Sequence, residues 1–361
     1  MNIVPIIIPS YEPDERLIKL LRDLILADTG PIILVNDGSS REYDRFFEMA
    51  KDIIGRSGGV ILVHSINMGK GRALKDAFRY ILNELPDVVG CVTADSDGQH
   101  TPECIIKCQN ALRKYPGDLI LGIRNFDSQN VPLKSKFGNI LTRNICKFLC
   151  GISVTDTQTG LRGIPIAFMK KLLDVSGERF EFEMQMLLET KDTCAIREIP
   201  IETVYDSKDN HSTHFDPIKD SIKIYRIFGR IFGKFLLSSL SSCIVDLALF
   251  SLFCFIMRGK MFGNLYAGIA TACARVISAI YNYLINYKIV FKSKANHIKS
   301  GIRYAELAMI QMLCSAVLVT VFLTLFHGKS ELAIKIPVDV VLFFISYYIQ
   351  HRYVFSTKME I

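Results

Sequence analysis

The sequence predicts an α/β domain with a Rossmann-like, mostly parallel sheet, followed by an α-helical membrane domain with four transmembrane helices. Three observations carry that prediction. Short apolar runs of strand length alternate with helical segments through the first part of the chain. Each run ends in a polar cluster. From Phe235 onward long apolar stretches dominate, in a chain of 361 residues that is 50% hydrophobic. Alternating strands and helices build parallel sheets. The shift in composition near Asp216 divides the chain into residues 1–215, a cationic helix over 216–234 and a membrane domain over 235–357.

The first apolar run, Ile3–Ile8, ends in Pro9-Ser10-Tyr11-Glu12-Pro13, and Arg16–Leu26 has helical periodicity. The run is too short for the apolar core of a signal peptide and lacks a basic start, so it reads as a buried strand. Pro31–Val35 is a second strand, ending in Asn36-Asp37-Gly38-Ser39-Ser40. Val60–His64 is a third, followed by Asn67-Met68-Gly69-Lys70-Gly71 and a helix over Ala73–Asn83. Val88–Thr93 is a fourth, ending in Asp95-Ser96-Asp97-Gly98-Gln99-His100. Open sheets of this kind bind ligands beyond the carboxyl ends of their strands, so these polar clusters are expected to converge on one edge.

Asp95 and Asp97 are two residues apart at a strand end, which places both carboxylates on one side of extended backbone. Adjacent carboxylates repel unless a positive charge joins them. A solvated acidic turn is the plain reading. The neighbouring polar strand ends favour a hard divalent cation, Mg²⁺ or Mn²⁺, which takes oxygen ligands and phosphates. Asp37 is either a turn former or a carboxylate that accepts hydrogen bonds from a base or ribose. Gly69-Lys70-Gly71 is either a plain turn or a source of backbone N–H groups and one cation for a diphosphate. The spacing is not that of a P-loop. No histidine–carboxylate pair stands out as a base, whereas Arg and Lys are plentiful between Arg124 and Arg162. Leu133–Phe148 alternates apolar positions at helical spacing with Lys134, Lys136, Arg143 and Lys147, as either a core-facing helix or one that touches a membrane.

The membrane spans are expected at Phe235–Met257, Leu265–Tyr287, Ala305–Phe326 and Ile334–Gln350, since about 20 apolar residues cross the hydrocarbon core. Basic residues crowd before the first span, between the second and third, and after the fourth. By the positive-inside rule the N-terminal domain is then cytosolic, in a multi-pass protein of the cytoplasmic membrane. Lys219, Lys223, Arg226, Arg230 and Lys234 form one stripe of an interfacial helix. The net charge of +7 fits anionic lipid headgroups, and no nucleic-acid motif is present. Ten cysteines without a C-x-x-C pair read as reduced apolar residues. Asp246, Arg275 and Asp339 lie in or near spans, where ionisable groups either pair structurally or face a pathway. The segment Tyr283–Phe291 is repeated at Tyr347–Phe355, so the spans form two parallel repeats.

The motifs I-P-S-Y-E-P at Ile8–Pro13, V-N-D-G-S at Val35–Ser39, N-M-G-K-G at Asn67–Gly71 and D-S-D-G-Q-H at Asp95–His100 belong together. With G-I-R at Gly122–Arg124 and D-T-Q-T-G-L-R at Asp156–Arg162, they resemble family 2 glycosyltransferases of the GT-A fold. Within these they resemble the polyprenyl-phosphate sugar transferases, such as dolichyl-phosphate mannose synthases and bactoprenol glucosyltransferases. The resemblance covers roughly residues 1–230. It implies that Pro9, Tyr11, Glu12 and Asp37 hold the nucleotide and that Lys70 lies near the base or diphosphate. It places Asp95, Asp97 and Gln99 around the metal, and Arg124 and Arg162 at the diphosphate or acceptor phosphate. Lys136, Asn139 and Ser212 are its acceptor-phosphate candidates; arginine is common where this chain has Lys134-Ser135-Lys136, and lysine lacks the bidentate fork. Glu181-Phe182-Glu183 matches a family segment without an assigned role. The four spans resemble the GtrA-like family, linked to moving or presenting polyprenyl-linked sugars.

The expected function is inverting transfer of a hexose-type sugar from a UDP- or GDP-sugar to a polyprenyl phosphate, with Asp97, Arg124 and Arg162 at the reacting groups. A phosphate monoester is already a nucleophile at neutral pH, and needs cationic neutralisation and alignment more than a base. The alternatives are transfer to a hydroxyl of a lipid, glycan or protein, and a transporter or scaffold for lipid-linked sugar. The expected partners are the nucleotide sugar, the polyprenyl phosphate and membrane lipids, with homo-oligomers left open.

Overall fold

The four apolar runs become the parallel half of a seven-stranded sheet in the computed structural model, which describes residues 3–124, 133–202, 219–257, 265–326 and 331–356. The strands are β1 Ile6–Ser10, β2 Ile32–Asn36, β3 Val60–Val63, β4 Gly90–Thr93, β5 Leu119–Arg124, β6 Arg162–Pro165 and β7 Ile196–Ile201. Their order across the sheet is β3-β2-β1-β4-β6-β5-β7, with β6 antiparallel to both of its neighbours and the other pairs parallel. All residues of β1 and β2 are buried, which explains why they are continuous apolar runs and not alternating ones.

The helices that accompany the sheet are α1 Glu15–Leu26, α2 Asp44–Ile54, α3 Lys70–Glu84, α4 Pro102–Lys114, α5 Leu133–Cys150, α6 Ile166–Leu172 and α7 Glu181–Glu189. Helix α1 starts where the Asp14 carboxylate accepts from the Arg16 N–H, and buries Leu17, Ile18, Leu20, Leu21 and Leu24. Helix α4 starts at the Thr101 cap with Pro102 in its first turn. Their apolar faces share one core with Phe46, Phe47 and Ala50 of α2 and with Ile6, Ile8, Leu34 and Val92 of the sheet. Replacing one such fully buried leucine by alanine costs about 3 kcal/mol.

The chain separates into two compact units, Met1–Lys147 with Ile152–Tyr225, and Phe148–Gly151 with Arg226–Ile361. The second unit holds α8 (Lys219–Met257) from Arg226 onward, α9 Leu265–Ile285, α10 His297–Leu325 and α11 Glu331–Ile349, over the four apolar stretches of the sequence. The stretch read as an interfacial helix is continuous with the first of them, the helix running unbroken through Gly229 and Gly233 with no proline in it. Among the described residues, Asp220–Met257 and His297–Phe322 are long and apolar enough to cross a membrane. Large apolar side chains such as Leu237, Ile244, Phe255 and Met312 point outward on them, as suits a lipid environment.

The repeat seen in the sequence has a structural counterpart. Helices α9 and α11 each run into a single π-helical turn, Asn286–Val290 and Gln350–Val354. At equivalent places in the two turns, the Asn286 side-chain amide donates to Gln350 Oε1 at 3.0 Å, and both residues are buried. The rings of Phe291 and Phe355, again equivalent, stack 5.0 Å apart. Asp246 accepts from Ser278 Oγ at 2.8 Å and faces Arg275 at 3.4 Å, while Asp339 accepts from Ser315 Oγ at 2.7 Å. Asp246 is thus engaged by neighbouring side chains, whereas the Arg275 side chain is 71% exposed.

Candidate active site

The carboxyl ends of β1, β2, β3, β4, β5 and β7 lie along one edge of the sheet, and antiparallel β6 begins there. The loops leaving that edge are laced together by motif residues. After β1, the backbone N–H of Glu12, whose φ is +48°, donates to Ser39 Oγ at 2.8 Å. The Ser39 N–H donates to Asn36 Oδ1 at 2.9 Å. Pro9 sits within β1 opposite Val35, and Tyr11 beside it has its hydroxyl held above the ordinary pKa first by a hydrogen bond with Glu12.

Asp37 ties the second loop to the third. Its Oδ1 accepts from the Met68 N–H at 2.9 Å and pairs with His64 Nδ1 at 2.8 Å, and its Oδ2 accepts from the Gly69 N–H at 2.8 Å. Gly38 has φ +71°, and a Cβ there would run into the Ile66 carbonyl carbon. Turn forming and polar bonding are therefore one role at Asp37: the carboxylate shapes the loop. Among the described residues Oδ2 has one protein donor, which leaves it able to accept another.

Gly69-Lys70-Gly71 opens α3. A Cβ on Gly69 would run into the Glu178 carbonyl oxygen, and one on Gly71 would meet Phe182 Cβ at 2.6 Å. Here the glycines allow the segment before α7 to pack on the start of α3. Lys70 Nζ forms ion pairs with Asp95 Oδ1 at 2.7 Å and Glu183 Oε1 at 3.0 Å. Burial disfavours the charged lysine, but Asp95 and Glu183 outweigh it and hold its pKa above the usual value. Burial likewise works against ionised Asp95, and Lys70 outweighs it, holding that carboxyl well below the usual range.

Asp97 is placed otherwise. Burial and then the charge of Asp95 raise its pKa, although Oδ1 accepts from the Gln99 N–H at 3.1 Å. Among the described residues no group of three or more His, Cys, Asp or Glu side chains forms a metal cage. Mg²⁺-type sites normally use one or two carboxylates plus substrate phosphates, and Asp95, Asp97 and the Gln99 amide are hard oxygen donors of that kind. The charge of Asp95 raises the pKa of Asp97, and Lys70, which contacts Asp95, is shared with Glu183, so the aspartate pair is short of positive charge. The residues fit a divalent cation on that ground.

On the far side, Thr93 Oγ1 donates to the Gly160 carbonyl at 2.8 Å, and a Cβ on Gly160 would collide with Asp95 Oδ2. Gly160 thus makes room for the Asp95 carboxylate. Arg124, ending β5, grips buried Asp156 through Nε at 2.7 Å and Nη2 at 3.0 Å. The Asn139 amide of α5 holds the same loop, donating to the Thr155 carbonyl at 2.8 Å and accepting from the Thr157 N–H at 3.0 Å.

Arg162 opens β6 and is held inside the domain. It is 1% exposed, and its guanidinium donates to the Thr159 carbonyl at 2.9 Å and the Glu183 carbonyl at 2.7 Å. Burial lowers its pKa, the first influence on it. It fastens α7 to the loop before β6. Asn139, with both ends of its amide engaged, likewise supports the loop instead of opening towards a phosphate. Ser212 and the side chain of Lys136 lie outside the described residues.

Two histidine–carboxylate pairs are not legible in the sequence. His64 bridges Asp37 and Asp76, 3.2 Å from the latter, and His100 lies 3.7 Å from Asp95. The His100 ring is buried and that of His64 half-buried. Glu183 escapes sequence reasoning as well; its only signal is the Glu181-Phe182-Glu183 segment.

Residues 6–173 match Glycosyl transferase family 2, and residues 234–355 match the GtrA/DPMS transmembrane domain. An uncharacterized protein of Methanocaldococcus jannaschii is 29% identical over 205 residues, 55% of this chain and 81% of that protein. A UDP-N-acetylglucosamine–dolichyl-phosphate N-acetylglucosaminyltransferase of Methanococcus voltae is 27% identical over 222 residues, 56% of this chain and 86% of that protein. Among solved structures, the mannosyltransferase PcManGT of Pyrobaculum calidifontis, in complex with GDP-Man and Mn²⁺, has a TM-score of 0.41 at 12% identity, covering 97% of this chain and 87% of that one. Residues 1–349 of S. aureus TarS give a TM-score of 0.38 at 13% identity, covering 98% of this chain and 92% of that one. The assignment rests on the two domain matches and on the motif residues gathered at the sheet edge: the chain is a membrane glycosyltransferase that joins a Glycosyl transferase family 2 domain to a GtrA/DPMS transmembrane domain.

Proposed function

We propose that this enzyme transfers a hexose-type sugar from a UDP- or GDP-sugar to a polyprenyl phosphate, with inversion, at the cytosolic face of a membrane crossed four times. The observation that carries the reading is the Asp95/Asp97 pair at the end of β4, laced through Lys70 and Asp37 to the other strand-end loops. The Methanococcus voltae relative, whose name gives a UDP-sugar donor and a dolichyl-phosphate acceptor, supports it. The cationic stripe before the first apolar span, and the basic residues between the second and third, support the cytosolic orientation.

In this reading a phosphate oxygen of the acceptor attacks the anomeric carbon. The bond from that carbon to the nucleoside diphosphate breaks, and the diphosphate leaves with the electron pair. Asp95, Asp97 and the Gln99 amide would hold Mg²⁺ or Mn²⁺, which supplies Lewis-acid neutralisation of the leaving diphosphate. The loops bearing Pro9, Tyr11, Glu12 and Asp37 bind the nucleotide, and Asp37 Oδ2 accepts from it. Arg124, oriented by Asp156, meets phosphate charge at the end of β5. Arg162 and Asn139 hold the surrounding loops in place. No general base is required, because a phosphate monoester is largely dianionic at neutral pH.

The test is release of nucleoside diphosphate from a panel of UDP- and GDP-sugars by purified protein, with polyprenyl phosphate, with the matching polyprenol, and with neither. Release that depends on the phosphate is expected. Equal stimulation by the polyprenol would move the acceptor to a hydroxyl.

A further inference from the structure

Lys70 and Glu183 form an arrangement that the transfer step leaves unexplained. Three elements meet there: Lys70 is the first residue of α3, Glu183 lies in the first turn of α7, and Asp95 follows β4. Lys70 Nζ is 2.7 Å from Asp95 Oδ1 and 3.0 Å from Glu183 Oε1, and the lysine and glutamate side chains are only 14% and 11% exposed. Gly160 and His100 close the other side of Asp95, the glycine with no space for a Cβ and the imidazole at 3.7 Å. One ammonium thus touches two carboxylates, one of them the Asp95 carboxylate that a cation would share. An ammonium and a divalent cation on one carboxylate repel strongly where solvent screening is poor. Lysine suits such a place, since its compact charge sits on a flexible stem that can swing between partners.

We propose that Lys70 is the resident counter-ion of Asp95, displaced when a divalent cation binds, and that Glu183 is the positioning residue that keeps the displaced ammonium within the site. This rests on the metal reading given above. The interior never holds Asp95 as a bare carboxylate: Lys70 neutralises it before the cation arrives. Glu183, already 3.0 Å from the ammonium, gives it somewhere to go. The displaced charge then remains near the diphosphate that the cation binds.

The experiment measures Mn²⁺ affinity of the full chain in detergent, without donor, by calorimetry and by the spin-resonance signal of free Mn²⁺. Lys70→Met removes the competitor, so Mn²⁺ should bind about tenfold more tightly. Glu183→Gln leaves the ammonium with Asp95 alone, so Mn²⁺ should bind about tenfold more weakly. Thermal melts check folding, and Lys70→Gln replaces Lys70→Met if the latter does not fold. An affinity of the Lys70 variant equal to or weaker than that of the unaltered protein overturns the counter-ion role. Tighter binding in Glu183→Gln overturns the part given to Glu183, because it would mean that Glu183 presses the ammonium onto Asp95. If neither the unaltered protein nor the Lys70 variant binds Mn²⁺ at millimolar concentration, even with a nucleoside diphosphate added to supply the phosphates, the metal reading fails and this inference with it.

Discussion

At Gly160 a single missing side chain decides where a carboxylate stands. Asp95 Oδ2 occupies the space that a methyl group would need, and Gly160 is buried, with no room to retreat. Gly160→Ala should therefore push Asp95 off Lys70 and lower transfer about a hundredfold, the scale of losing one charge-stabilising group. Nucleotide-sugar turnover beside a thermal melt checks it; unchanged turnover would mean that Asp95 does not act where it now stands. Arg162 makes the opposite prediction. Its Nε and Nη1 donate to the carbonyls of Thr159 and Glu183, and its buried Nη2 has no partner among the described residues. Arg162→Ala leaves those buried acceptors unmet and opens a cavity, and should cost about 3 kcal/mol of stability. Denaturant unfolding of the variant measures that. A phosphate-contacting arginine would instead lose turnover with its stability intact.

Helix α3 shows how an element carries charge that its sequence does not advertise. Asp76 takes His64 from β3's end and both Arg72 and Arg79 from its own helix. Burial works against its charge, but Arg72 foremost and then Arg79 outweigh it and hold its pKa below the usual carboxylate value. A depressed folded-state pKa contributes stability that is present above the ordinary carboxylate pKa and lost as pH falls through the lowered one. Stability should thus decline below about pH 4, and Asp76→Asn should flatten that limb in melts recorded against pH. In the helical unit, the Asn286–Gln350 pair joins the two repeats at their π-helical turns. A double-mutant cycle of Asn286→Leu and Gln350→Leu should show coupling of about 0.6–2 kcal/mol in detergent unfolding; additive losses would separate the two repeats. The sequence shows these elements unevenly. The polar clusters after the first four strands announce themselves, because parallel strands buried on both faces are unbroken apolar runs. Strands β5, β6 and β7 are not legible: β7 is interrupted by Arg197, Glu198 and Pro200, and β6 reverses direction through contacts far apart in the chain. Lys70 with Asp95 and Glu183, and His64 with Asp37, are likewise long-range meetings, which no local spacing encodes. The repeat of Tyr283–Phe291 at Tyr347–Phe355 is legible, but the π-helical turns and the amide pair inside them are not.

The whole molecule couples a soluble transferase unit to an apolar helical one, and that coupling is the physical case for a lipid-borne acceptor. The family 2 domain supplies an edge of strand-end loops rich in hard oxygen donors and cations. The transmembrane domain supplies outward apolar faces and a basic approach to them. A soluble hydroxyl acceptor would call for neither the membrane domain nor this concentration of positive charge. The most direct measurement is mass spectrometry, with ³¹P resonance, of the lipid made by the full-length protein in proteoliposomes that contain polyprenyl phosphate and the preferred nucleotide sugar. The account predicts one hexose-type sugar joined through the phosphate of the polyprenyl phosphate as a phosphodiester, with one nucleoside diphosphate released for each. Sugar found on a hydroxyl, with the polyprenyl phosphate left as its monoester, would contradict it.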